Sequence, residues 1–186
     1  IPFEDAIMYH LHVRGFTKQK DSGVRKKGTF AGLREKIPYL KELGVTHVHL
    51  LPMQDYATVN EEEKNPKVYN WGYDPENFNA PEGSYSSNPY DGNVRIKEMK
   101  EMIQALHDAG IKVIMDVVYN HTYETKNSNF TKIMPDYYYK LNGNKYDDNS
   151  GCGNATRSES AMYRKYMIDS LTYWAEEYNL DGFRFD

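Results

Sequence analysis

Three times along this chain the same four-residue signature closes one element and opens the next. Glu42-Leu43-Gly44-Val45, Asp108-Ala109-Gly110-Ile111 and Glu177-Tyr178-Asn179-Leu180 each run acidic residue, spacer, turn-tolerant residue, apolar residue. Glycine is the usual left-handed cap at a helix C-terminus and asparagine the next best, so all three copies obey one rule. Residues at helical spacing precede each copy: Phe30, Leu33, Ile37 and Leu40; Ile96, Met99, Met102, Ile103 and Leu106; Tyr166, Leu171, Trp174 and Tyr178. A short apolar run follows each. The repeating unit is therefore βα, and the chain reads β-α-β-α-β-α-β.

The strands expected are Ala6 to Val13, with Ile7, Tyr9, Leu11 and Val13 on one side, then Thr46 to Leu51, Lys112 to Val118, and Asp181 to Asp186. The third is a continuous apolar run broken only by Asp116, which suits a parallel sheet covered on both faces. Thr29 is placed to N-cap the first helix, and Pro38 to kink or restart it. The second helix is expected from about Val94 to Ala109. Thr156 and Glu159 have the spacing of a capping box before the third. Arg14 to Lys27 reads as a polar loop, Glu61-Glu62-Glu63 as a solvated loop tip, and Cys152 as structural.

Loop lengths choose the architecture. Helix-to-strand links are a few residues, whereas two strand-to-helix links, residues 52–93 and 119–158, run to roughly 40 residues, far above the usual length. Loops of that size persist when they carry function on a rigid frame. All of them leave the C-terminal ends of strands, the active rim of a (β/α)8 barrel. A doubly wound sheet binds ligands at the same edge, but its sign is a Gly-rich turn after the first strand. Arg14-Gly15-Phe16-Thr17 stands there instead. The expected fold is α/β: a partial TIM (β/α)8 barrel of about four strands and three helices, with residues 1–186 as the N-terminal half of one catalytic domain.

Composition narrows the partners. The net charge is -4 with no basic stripe, which argues against nucleic acid. No apolar run is long enough to span a bilayer, so no membrane partner is expected. One cysteine excludes an internal disulfide. Ile1-Pro2-Phe3-Glu4-Asp5 is not a signal peptide, and the compartment, cytoplasmic or secreted, stays open. Abundant Lys, Asn and Tyr hint at a bacterium with an AT-rich genome. The 17 tyrosines offer flat faces for sugars, although most tyrosines only pack.

The polar residues gather on one rim. In Asp181-Gly182-Phe183-Arg184-Phe185-Asp186, period 2 puts the phenylalanines on one face and Gly182, Arg184 and Asp186 on the other. A guanidinium beside a carboxylate favours and aims its ionised form; a salt bridge at a sheet end is the plainer reading. Asp116, Asn120 and His121 end the third strand, and Tyr69-Asn70-Trp71-Gly72-Tyr73-Asp74-Pro75 lies after the second. Taken singly, His121 is a satisfied loop histidine, Tyr73 is packing, and Asp116 fixes a strand end.

Together, these residues resemble a known family. Asp116-Val117-Val118-Tyr119-Asn120-His121 and Gly182-Phe183-Arg184-Phe185-Asp186 are similar to the first two signature regions of the α-amylase clan of glycoside hydrolases. Tyr69 to Pro75 resembles the motif of its debranching members, the type I pullulanases. The resemblance implies Asp186 as the nucleophile and Arg184 as the residue keeping it ionised. It implies His121 as a donor to the sugar, Tyr73 as the platform beneath it, and Asp116 as an inward support. Retaining hydrolysis needs that nucleophile and a protonated acid roughly 5 Å away. The clan's acid is a Glu closing a fifth strand, beyond Asp186, so the 186 residues are expected to be inactive and aggregation-prone without the remaining half of the barrel. Asn120 resembles a calcium ligand of some amylases, but no oxygen set accompanies it, so no metal and no cofactor are expected. The implied activity is retaining cleavage of α-1,6-glucosidic bonds in pullulan, limit dextrins, glycogen or amylopectin. The alternatives are an isoamylase, a branching enzyme, an α-1,4 amylase, or a non-catalytic α-glucan-binding module.

Overall fold

A computed structural model describes residues 1–63 and 68–186. In chain order the elements are β1 (Met8–Leu11), α1 (Val13–Lys18), α2 (Phe30–Arg34), α3 (Ile37–Glu42), β2 (His47–Leu50), β3 (Gln54–Tyr56), β4 (Pro75–Pro81), α4 (Gly92–Asp108), β5 (Lys112–Val117), α5 (Asn129–Ile133), β6 (Leu141–Asn142), β7 (Lys145–Tyr146), α6 (Ala161–Tyr178) and β8 (Gly182–Phe185). The four main strands form one parallel sheet in the order β1-β2-β5-β8. Among the described residues, no helix is long and apolar enough to cross a membrane.

Strand alternation sorts the side chains. Val48, Leu50, Val113, Met115 and Val117 are buried in one core with Leu33, Leu40, Met99, Met102, Leu106 and Trp174 from the helices. Each such side chain contributes about 1.5–3 kcal/mol by leaving water. The intervening residues, His49, Ile114, Asp116 and Arg184, fall on the opposite face, which becomes the inside of a barrel. There Asp116 lies directly across from Arg184.

The repeated caps form as the sequence predicts. Gly44 and Gly110 have φ of 72° and 80°, and Asn179 takes the left-handed conformation at φ 56°, ψ 42°. Beyond two of them the chain folds back, Val45 N–H onto the Leu40 carbonyl and Ile111 N–H onto that of Leu106. The Thr29 hydroxyl caps α2 by accepting the Gly32 N–H at 3.1 Å, and the helix restarts with Pro38 in the first turn of α3.

Four expectations fail. Arg14 to Lys27 is not all loop: α1 occupies Val13–Lys18 because His12, not a strand residue, caps it, its Nδ1 accepting the Gly15 N–H at 2.9 Å. Strand β1 accordingly ends at Leu11. Thr156 and Glu159 form no capping box, because the Thr156 hydroxyl donates to the Tyr119 carbonyl at 2.6 Å and Ser160 takes the N-cap position, its hydroxyl donating to the Tyr137 carbonyl at 3.3 Å and not capping the helix. Glu61 is no solvated tip. It accepts Arg95 Nη1 and the Gly83 N–H, both at 2.9 Å, while Glu62 and Glu63 are exposed. Cys152 is exposed as well.

The long loops hold structure of their own. In the first, β3 and β4 pair antiparallel, and the Phe78 carbonyl accepts from Gln54 Nε2 at 2.9 Å and Trp174 Nε1 at 3.0 Å. In the second, β6 and β7 make a short antiparallel pair after α5.

Candidate active site

Asp116 is the buried centre of the rim, with no exposed surface. A buried carboxylate needs donors. Arg184 Nη1 lies 3.0 Å from Oδ1 and 3.2 Å from Oδ2, and the Tyr73 hydroxyl donates to Oδ2 at 2.7 Å. The same Nη1 donates to Asp186 Oδ1 at 2.8 Å, so one guanidinium nitrogen spans two carboxylates. These bonds, those to Asp116 first, keep Arg184 protonated above its ordinary range. Asp186 Oδ2 accepts Asn120 Nδ2 at 3.3 Å.

Tyr73 is held at both ends. Besides the phenol bond, its backbone carbonyl accepts His121 Nε2 at 2.7 Å, while His121 Nδ1 lies 2.9 Å from Asn120 Oδ1. Burial, then the Asp116 hydrogen bond, raises the Tyr73 phenol, so it remains a donor. The segment before it is knitted by Asn70, whose Oδ1 accepts the Gly72 N–H at 2.7 Å and whose Nδ2 donates to Asp74 at 2.9 and 3.0 Å. Gly72 is required: φ is 92°, and a Cβ would meet the Pro52 carbonyl oxygen at 2.9 Å. His12 Nε2 anchors the Asn70 carbonyl at 2.7 Å.

These elements wall a hollow of about 620 Å³, lined by His10, Leu11, His12, Leu51, Tyr69, Trp71, Tyr73 and Asp186. Tyr69 and Trp71 present largely exposed rings. The structure thus links all five candidate residues by hydrogen bonds: Arg184 joins Asp116 and Asp186, the Tyr73 hydroxyl bonds Asp116, and His121 holds the Tyr73 carbonyl. Of the five, Tyr73 and Asp186 line the hollow. His10, on β1, and His12, the cap of α1, also line the hollow, and nothing in their local sequence pattern marks them for it. A separate hollow of about 440 Å³ opens between β4 and α5. It holds Glu76, Glu124 and Lys132 but no buried carboxylate with a guanidinium, so the chemistry belongs to the first.

The donor set offers little to a metal. His10, His49 and Asp116 approach one another within 4.8 Å. Asp116 is already bonded to a cation, and the two imidazoles stack face to face at 4.2 Å, which turns their lone pairs parallel, not convergent.

Comparison with known proteins agrees with this arrangement. The family model for the α-amylase catalytic domain matches residues 13–161. The chain is 47% identical to a pullulanase of Bacillus subtilis (strain 168) across 98% of its own length and 27% of that protein. It is 40% identical to isoamylase 3, chloroplastic, of Oryza sativa subsp. japonica, covering 26% of that protein. It superposes on the crystal structure of a pullulanase from Anoxybacillus sp. LM18-11 complexed with maltotetraose, with TM-score 0.96, 46% identity, all of this chain and 29% of that one. The chain therefore spans less than a third of the length of these relatives, and over that span it has the (β/α)8-barrel architecture of a pullulanase catalytic domain. It belongs to the α-amylase catalytic-domain family.

Proposed function

We propose that this chain is the N-terminal half of the catalytic barrel of a retaining α-1,6-glucan hydrolase acting on pullulan and branched α-glucans. The observation that carries the reading is Arg184 Nη1 bridging buried Asp116 and rim-side Asp186 beside the Tyr73 ring. That pullulanases 46% identical to the chain were crystallised with maltotriose and maltotetraose supports the substrate class.

In this mechanism a glucose residue stacks over Tyr73, with Tyr69 and Trp71 flanking it. Asp186 attacks the anomeric carbon as the glycosidic C–O bond breaks, and the leaving oxygen takes a proton from an acid outside these residues. Arg184 steadies the negative charge and fixes its direction. Water then displaces Asp186, giving net retention. His121, the donor to the sugar in this reading, also holds the Tyr73 carbonyl.

In the complete barrel, Asp186→Asn is expected to lower kcat on pullulan by at least about a thousandfold while maltooligosaccharides still bind. Maltotriose as the product establishes α-1,6 cleavage; panose or isopanose would show α-1,4 cleavage and overturn the linkage. Binding without any turnover in the complete wild-type barrel would favour a glucan-binding module. The 186 residues alone are expected to release no product.

A further inference from the structure

Beneath the rim lies a second polar layer that the mechanism above does not use. His49, on β2, sits across from His10 on β1, and the two rings stack at 4.2 Å with an angle of 11° between them. The His49 side chain is nine-tenths buried. Its Nε2 lies 3.3 Å from Asp116 Oδ2, yet off the alignment of a hydrogen bond, and is left without a partner. A buried ring nitrogen in that condition is destabilising unless a bond forms. Asp116 has room for it. A carboxylate offers about four lone-pair sites; the Tyr73 hydroxyl takes one, and Arg184 Nη1 approaches both oxygens. A small rotation of the imidazole supplies the missing donor.

We propose that His49 is a positioning residue: its Nε2–H donates to Asp116 Oδ2 and, by satisfying that carboxylate, sets how Arg184 is divided between Asp116 and Asp186. The inference rests on the hydrolase reading above. The charged and titratable groups facing His49 are His10 from β1, Asp116 from β5 and Arg184 from β8. Burial first, then His10, and last Arg184 lower the imidazole, against the pull of Asp116. The lowering favours the neutral ring, which has one N–H to place. On Nδ1 that proton leaves Nε2, a bare acceptor, facing a carboxylate; on Nε2 it completes the shell.

Arg184 Nη1 is shared between acceptors at 2.8 Å on Asp186 and 3.0 Å on Asp116. When Asp116 loses a donor it draws Arg184 more strongly, and the Asp186 carboxylate keeps less of the cation that favours its ionised form. The visible consequence is the acid limb of the rate profile. Leucine fills much of the histidine volume without a donor, and glutamine restores one.

The test is the pH profile of kcat/KM for His49→Leu and His49→Gln in the complete barrel, on whichever α-glucan the wild type cleaves. The Leu variant is expected to raise the acid-limb midpoint by about half a pH unit, and Gln to return it toward wild type. A packing role alone would lower melting temperature or kcat at every pH and leave the limb in place. An unmoved limb in a folded Leu variant, or a Gln variant that matches Leu, overturns the proposal. If the wild-type barrel hydrolyses no glucan, the functional reading fails separately. Nitrogen-15 NMR of the wild type then decides: a protonated, hydrogen-bonded Nε2 at His49 upholds the contact, and an Nδ1–H tautomer overturns it.

Discussion

Replacing Asp55 with asparagine tests the clasp that ties the β3–β4 hairpin to α4. Asp55, Glu61 and Glu82 bring carboxylate oxygens within 4.8 Å of one another beside Arg95, which lies 3.7 Å from Asp55 and grips Glu61. Burial, followed by a proton held against Glu61, pushes Asp55 up to about 8 from the usual 3.8, and burial pushes Glu82 up to about 7 from 4.5. Burial would raise Glu61 too, but its Arg95 bonds win and hold it below its ordinary value. The two raised groups keep protons when folded that the unfolded chain releases. Their stabilising effect is therefore complete below about pH 4, is lost as pH climbs toward 8, and changes no further above. At about 1.4 kcal/mol per pH unit, the interval for Asp55 amounts to about 6 kcal/mol by pH 8. Rearrangement toward Arg95 and solvent relieves roughly half of it. Asparagine copies the protonated acid: its carbonyl accepts Asn77 Nδ2, which sits 2.6 Å from Asp55, and its amide can donate to Glu61. Asp55→Asn in the complete barrel should thus match wild type within about 1 kcal/mol at pH 5 and exceed it by about 3 kcal/mol at pH 8. Urea midpoints across that range measure the difference. A difference independent of pH, or a variant weaker than wild type at pH 8, refutes the reasoning.

Other perturbations have equally definite outcomes. Tyr73→Phe removes a donor from buried Asp116 and should cost about 1–3 kcal/mol in urea unfolding. Gly72→Ala adds a Cβ at 2.9 Å from the Pro52 carbonyl oxygen, at a φ of 92°. It should displace the Tyr73 segment, seen as a KM for maltooligosaccharide substrates raised by about tenfold. Asn179→Gly should hold or slightly raise the melting temperature, whereas Asn179→Ala should cost about 1 kcal/mol at the left-handed cap.

Much of the frame was legible because local chemistry and global topology agreed. Asn179 was readable as a left-handed cap from its two glycine counterparts, and the shared face of Arg184 and Asp186 from strand period, whereas an inward Asp116 was implied only by the family resemblance. Helix α1 was not, because His12 is an uncommon cap and Val13–Lys18 carries no apolar stripe. Strand β4, Pro-Glu-Asn-Phe-Asn-Ala-Pro, lacks alternation; Gln54 and Trp174, distant in sequence, both hold it by the Phe78 carbonyl. Thr156 and Glu159 had capping-box spacing, but a nearer carbonyl claimed the hydroxyl. At the site, Tyr73 could be singled out only through its motif, since nothing in its local sequence reveals a partner at Asp116, 43 positions away.

The double tether on Tyr73, phenol to Asp116 and carbonyl to His121, has one more effect. A ring fastened at two points has already surrendered its freedom when the polypeptide folds. A glucan settling onto it need not immobilise the ring again. Association should then show little conformational-entropy loss from the protein, and calorimetry on a chain lacking either tether should reveal that loss reappearing.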